Sequence, residues 1–253
     1  MPLTETPALT VRSLLVWGLL AGLVGGLLAF GFATAFGEPA VERAIALEES
    51  APAHPHGEQE PAHSHADEEE PVTRAFQATA GLGIGAVAYG LGLGGLFGIA
   101  FAFAYGRLGG LTPRATALAL AAAGYVAVVL VPFLAYPANP PAVGQASTIE
   151  ERTALYFAVL GISVVAAVLA AALAGRLTPR LGGWTAGLVA VLGYVVVVTA
   201  VAKLLPTFQE VPEGFPGDLL WEFRIASLGT SAVLWAGIGV VFAVLLHRGT
   251  ARR

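Results

Sequence analysis

Six apolar runs of helix length, at residues 13–36, 76–105, 115–136, 154–174, 184–205 and 227–246, dominate this chain of 253 residues. About 20 consecutive apolar residues cross the hydrocarbon core of a bilayer as a helix. Inside that core the backbone must satisfy itself without water, which leaves only helices and closed barrels. Barrel strands are about half this length and alternate in polarity. The runs therefore predict an all-α integral membrane protein with about six transmembrane helices. Charge agrees, because only 12% of residues are charged, against roughly 25% in a soluble domain. The expected organisation is an N-terminus at 1–12, a first span at 13–36, a polar loop at 37–75, a five-helix core at 76–246 and a basic tail at 247–253.

Orientation follows from arginine. Arg12 precedes the first run, Arg107 and Arg114 lie between the second and third, and Arg176 and Arg180 lie between the fourth and fifth. Arg248, Arg252 and Arg253 follow the last. Alternation puts all of these on one side, which the positive-inside rule makes cytoplasmic, together with both termini of this multi-pass chain. Of the 17 acidic residues only Glu5 shares that side, so the external face is acidic and attracts cations. The first run ends in Ala33-Thr34-Ala35 but exceeds the about 7–15 apolar residues of a signal-peptide core, so a span is expected rather than a cleaved leader.

The loop at 37–75 differs from everything around it. Four of the 5 histidines lie here, in His54-Pro55-His56 and His63-Ser64-His65, beside Glu58, Glu60 and the acidic run from Asp67 to Glu70. Imidazole and carboxylate together suit a borderline divalent metal ion. His54, His56, His63, His65, Glu58 and Asp67 are the candidate ligands. The chain has no cysteine and its one methionine is Met1, so thiolate and thioether ligands play no part. Proline, alanine, glutamate and glycine surround the histidines, a composition of disorder. A solvated polar loop with incidental histidines is the competing reading. Ligand type alone does not choose among cobalt, nickel and zinc.

The spans themselves carry few chemical groups. None has Asp, Glu or His at its middle, where ion pathways usually show one. Tyr89, Tyr125, Ser163, Tyr194, Thr199, Ser227, Thr230 and Ser231 remain as uncharged polar groups, which line a path or bond neighbouring helices. Gly81, Gly83, Gly85, Gly90, Gly92, Gly94 and Gly95 crowd the second span and predict close helix packing. Outer arginines Arg74, Arg152 and Arg224 each precede an even-numbered span, and Gly124-Tyr125-Val126 recurs as Gly193-Tyr194-Val195. This spacing suggests three hairpin repeats. The outer arginines run against the topological charge bias, so salt bridges are expected, with Glu150, Glu151 and Glu222 nearest in sequence.

At the outer end of the third span the chain runs Tyr136-Pro137-Ala138-Asn139-Pro140-Pro141-Ala142-Val143-Gly144, followed by Arg152-Thr153 and Tyr156. The last arm opens with Gly214-Phe215-Pro216, then Leu219-Leu220-Trp221, Phe223-Arg224 and Ser227-Leu228-Gly229-Thr230. With Glu38-Pro39 and Glu42 after the first span, these segments resemble the CbtA family over nearly the whole chain. The resemblance implies a cobalt transporter subunit of a bacterial plasma membrane, associated with cobalamin-related metal uptake. It also implies a small single-span partner of the CbtB type. Cobalt(II) is then the substrate, with nickel and zinc as alternatives, and no permanently bound cofactor is expected. The lipid bilayer and a divalent metal ion complete the expected partners.

Tyr136, Asn139, Glu150 and Glu222 are the candidate residues of an outer mouth. Two functions compete: a permease subunit with an external histidine collector, and a non-transporting scaffold or sensor that delivers metal to another component. An enzyme is not expected, since no nucleophile or acid–base pair lies at depth. No ATP-binding loop of the Gly-x-x-x-x-Gly-Lys type occurs, and the basic residues flank spans in short loops rather than forming a nucleic-acid surface.

Overall fold

The computed structural model describes residues 10–50, 73–107 and 110–251, and helices account for nearly all of them, with no strand. Helix α1 is Val11–Ser50, α2 is Arg74–Ala104, and α3 is Pro113–Ala135. A fourth helical stretch, Ile149–Leu204, is interrupted at Gly182, where φ 76 and ψ 157 turn the chain. We therefore treat 149–181 as α4 and 183–204 as α5; the last helix, α6, is Gly217–Ala251. Ser163 Oγ and Tyr194 OH lie 2.8 Å apart although 31 positions separate them. A straight helix would hold them about 46 Å apart, so α4 and α5 form a hairpin. Among the described residues, five helices are long and apolar enough to cross a membrane, and the one folded back at Gly182 supplies two arms.

Threonine starts three of these helices. The hydroxyl oxygens of Thr10, Thr73 and Thr112 accept from the backbone N–H groups of Ser13, Phe76 and Ala115, and Pro113 follows at the first helical position of α3. Each cap satisfies an amide that the first turn would otherwise leave without a partner.

Glycine sets the packing of the bundle. A Cβ on Gly18 would sit 2.2 Å from the Gly94 carbonyl oxygen, one on Gly22 2.1 Å from that of Gly90, and one on Gly98 2.5 Å from that of Leu14. Helices α1 and α2 thus touch backbone to backbone, the contact that gives van der Waals attraction its reach where lipid removes the hydrophobic drive. Helix α6 joins them through Gly237, whose Cβ would lie 2.9 Å from the Gly25 Cα. The Trp235 ring fills the space over Gly124, fixing α3 against α6. Towards the end expected to be cytoplasmic, Phe97, Phe101, Ile238, Phe242 and Leu246 are buried together, with Phe242 edge-on to Phe97 and Phe101 at 5.2 Å and 5.0 Å. The α4–α5 hairpin leans chiefly on α3.

The first helix does not stop at residue 36. A π-helical segment, Ala33–Gly37, carries it past Pro39 into Glu38–Ser50. The same order recurs in α3, where Tyr125–Leu130 is π-helical and Pro132 follows. Proline lacks the N–H of the helical ladder and its ring collides with the carbonyl four residues back. A wide π turn just before it relieves both problems, so the helix bends and continues. Beyond the π turn, Ala40 and Ala44 bury one face of α1 against Leu219, Phe215 and Phe223 at the start of α6. The loop expected at 37–75 is corrected accordingly: its first part is helix through Ser50, and α2 begins at Arg74.

Candidate functional site

The helices bring most of their charge to one end, the end expected to be external. Arg74 Nη2 donates to Glu38 Oε2 at 2.5 Å and ties α2 to α1. Arg43 pairs with Glu222, tying α1 to α6, while its Nε donates to the Pro39 carbonyl. Arg152 Nη1 donates to Glu210 Oε2 at 2.6 Å, and the Thr148 hydroxyl donates to the other oxygen of that carboxylate. The Glu210 side chain is only 5% exposed, so these two donors offset the desolvation that a buried carboxylate suffers. Arg224 donates from Nε to the Ala138 carbonyl at 3.3 Å and from Nη2 to Asn139 Oδ1 at 3.0 Å.

The outer arginines do find partners, but not the ones nearest in sequence. Neighbours one or two places apart on a helix point to different faces, so Glu150, Glu151 and Glu222 are poorly aimed at Arg152 and Arg224. Glu38, Glu210 and Asn139 take those places, each reached through the fold. Glu210, in the proline-bearing segment between α5 and α6 that also holds Glu213, was the available signal that sequence reasoning passed over. Arg43 was missed because residues 38–50 were expected as loop; one helical turn from Pro39 it gains a fixed direction.

The four mouth candidates separate into two groups. Asn139, half-buried, meets Arg224, and Glu222, exposed two residues before it, meets Arg43. Tyr136 is buried on the side of the α4–α5 hairpin, its hydroxyl donating to the Pro206 carbonyl at 2.9 Å. Glu150 stands exposed on the first turn of α4, outside these bonds. His54, His56, His63, His65, Glu58 and Asp67 all lie outside the described residues. Among the described residues, no three His, Cys, Asp or Glu side chains gather as a metal site.

Within the spans the polar groups are largely spent on structure. The Tyr125 hydroxyl donates to the Leu228 carbonyl at 3.3 Å, and Ser227 and Thr230 donate to the carbonyls four residues back, both at 2.8 Å. Ser163, fully buried, pairs with Tyr194, while Tyr89 faces outwards at 59% exposure. At the inner end Thr112, Pro113, Arg114, Leu246 and His247 line a cleft of about 310 Å³.

The family model described as "Probable cobalt transporter subunit (CbtA)" matches residues 11–247. The chain belongs to the CbtA family. No curated protein and no solved structure matches it. The CbtA match runs from the first residue of α1 to the inner part of α6, so it takes in the glycine-packed bundle, the hairpin and the whole outer cluster. This CbtA protein is thus a subunit of a probable cobalt transporter, built from helices able to span a membrane.

Proposed function

We propose that this CbtA chain is the membrane subunit of a cobalt uptake system whose external histidine segment collects the ion. The family match over residues 11–247 carries the reading. The outer ends of α1 and α2 hold the two ends of the segment that contains His54, His56, His63 and His65. A collector joined to the bundle at both ends makes transfer of a captured ion to the bundle an intramolecular step, which effective concentration favours. Imidazole nitrogens with Glu58 and Asp67 offer borderline and hard donors suited to cobalt(II), and nickel or zinc compete on geometry and supply. The acidic external face attracts cations ahead of binding. Basic inner loops support cytoplasmic termini in a bacterial plasma membrane. A small single-span CbtB-like subunit is the partner expected in the same membrane.

A scaffold or sensor that passes metal to another component is the second reading. It is favoured by the spans themselves, which lack a central acid or histidine and commit much of their hydroxyl content to helix bonds. Radioactive cobalt uptake by transport-deficient cells separates the two. The intact chain with its partner should give saturable uptake. Replacing His54, His56, His63 and His65 together by alanine should raise the half-saturation concentration about tenfold or more, equivalent to ~1.4 kcal/mol of lost capture. Unchanged half-saturation would remove the histidines from the mechanism, and no uptake from inserted protein would favour the scaffold.

A further inference from the structure

The outer segment 136–144 combines features that a static cap does not need. Ala142 has φ 65, a left-handed conformation that alanine enters only at a cost, and Gly144 follows at φ 126. Outliers of this kind gather at clamps and switches, where surrounding contacts hold them. Those contacts are present: Pro140 and Tyr136 are buried, so the segment is seated in the protein. Its tie to α6 is Arg224, through the Ala138 carbonyl and Asn139 Oδ1. Both acceptors are neutral. Arg43, Arg74 and Arg152 at the same end all bind carboxylates, whose bonds to guanidinium are stronger. Helix α3 leads into the segment through its π turn and Pro132, a natural place to bend.

We propose that segment 136–144 is a hinged outer cover and that Arg224 is the latch that holds it closed. The cover's role rests on the transporter reading above. With Tyr136 kept at the hinge by its bond to the Pro206 carbonyl, opening breaks the two hydrogen bonds from Arg224 to neutral acceptors, relaxes Ala142 and leaves all three ion pairs in place. Helix α6, held to α1 by glycine contact and by Arg43–Glu222, stays fixed while the cover moves.

The chain has no cysteine, so Val143→Cys, half-buried in the segment, gives a single reporter for a hydrophilic maleimide. The full chain is assayed in lipid nanodiscs, where both faces meet the reagent. Arg224→Gln should raise the labelling rate about fivefold, and Arg224→Lys should do nearly the same, because a lysine keeps the charge but cannot fork between two acceptors. Asn139→Asp supplies a carboxylate and should slow labelling by about the same factor. Equal rates in the parent and the folded variants would overturn the latch. So would a lysine variant that labels as slowly as the parent, since charge alone would then suffice. If Arg224→Gln fails to fold, the slowing expected for Asn139→Asp decides the matter. Labelling needs no transport, so absent cobalt uptake would count against the functional reading without touching this test.

Discussion

Gly22 and Gly94 cross so closely that a Cβ on Gly94 would lie 2.6 Å from the Gly22 Cα and 2.2 Å from the Gly18 carbonyl oxygen. No rotamer relieves a clash with backbone; the helices have to part. Gly94→Ala should therefore destabilise the protein by about 1–3 kcal/mol, the usual cost of overpacking. Gly85 and Gly92 of the same helix have nothing within 4 Å of a built Cβ. Alanine there should be neutral or stabilise by up to about 1 kcal/mol through helix propensity. Thermal unfolding in detergent compares all three, and equal losses would refute backbone contact as the basis of the α1–α2 fit. The crowding of glycines in the second span was legible as close packing. Which glycines face α1 was not, because small residues surround that helix and give its sequence no distinct apolar face. Gly98, beyond the crowded stretch, belongs to the contact as well.

At the scale of elements, the α4–α5 hairpin depends on its corner. Gly182 adopts φ 76 and ψ 157, a region essentially closed to residues with a Cβ. Gly182→Ala should cost about 1–3 kcal/mol of stability, whereas Gly183→Ala, with open space around it, should cost nothing. Equal stability of the two variants by thermal unfolding would mean that the corner lies elsewhere. The six apolar runs all correspond to helical arms, because the need to satisfy backbone in lipid leaves the chain no alternative. Their ends were less legible. The first span was expected to end at residue 36 in a polar loop, yet a π turn lets the helix pass Pro39, and contact with Leu219, Phe215 and Phe223 sustains it to Ser50. The partners of the outer arginines were equally hidden, since each lies on another part of the chain.

The whole molecule is a glycine-welded bundle of α1, α2 and α6, with α3 as the bridge to a lightly attached hairpin. Acidic groups and their arginine partners gather at one end, and Arg12, Arg107, Arg114, Arg176, Arg180 and Arg248 lie towards the other. The most direct test is radioactive cobalt entry into sealed vesicles carrying the purified chain, with and without the single-span partner. Saturable entry in vesicles that hold both, and none in vesicles lacking this chain, is the result expected of a cobalt uptake subunit. Vesicles with correctly inserted protein and partner that take up no more cobalt than empty ones would contradict it.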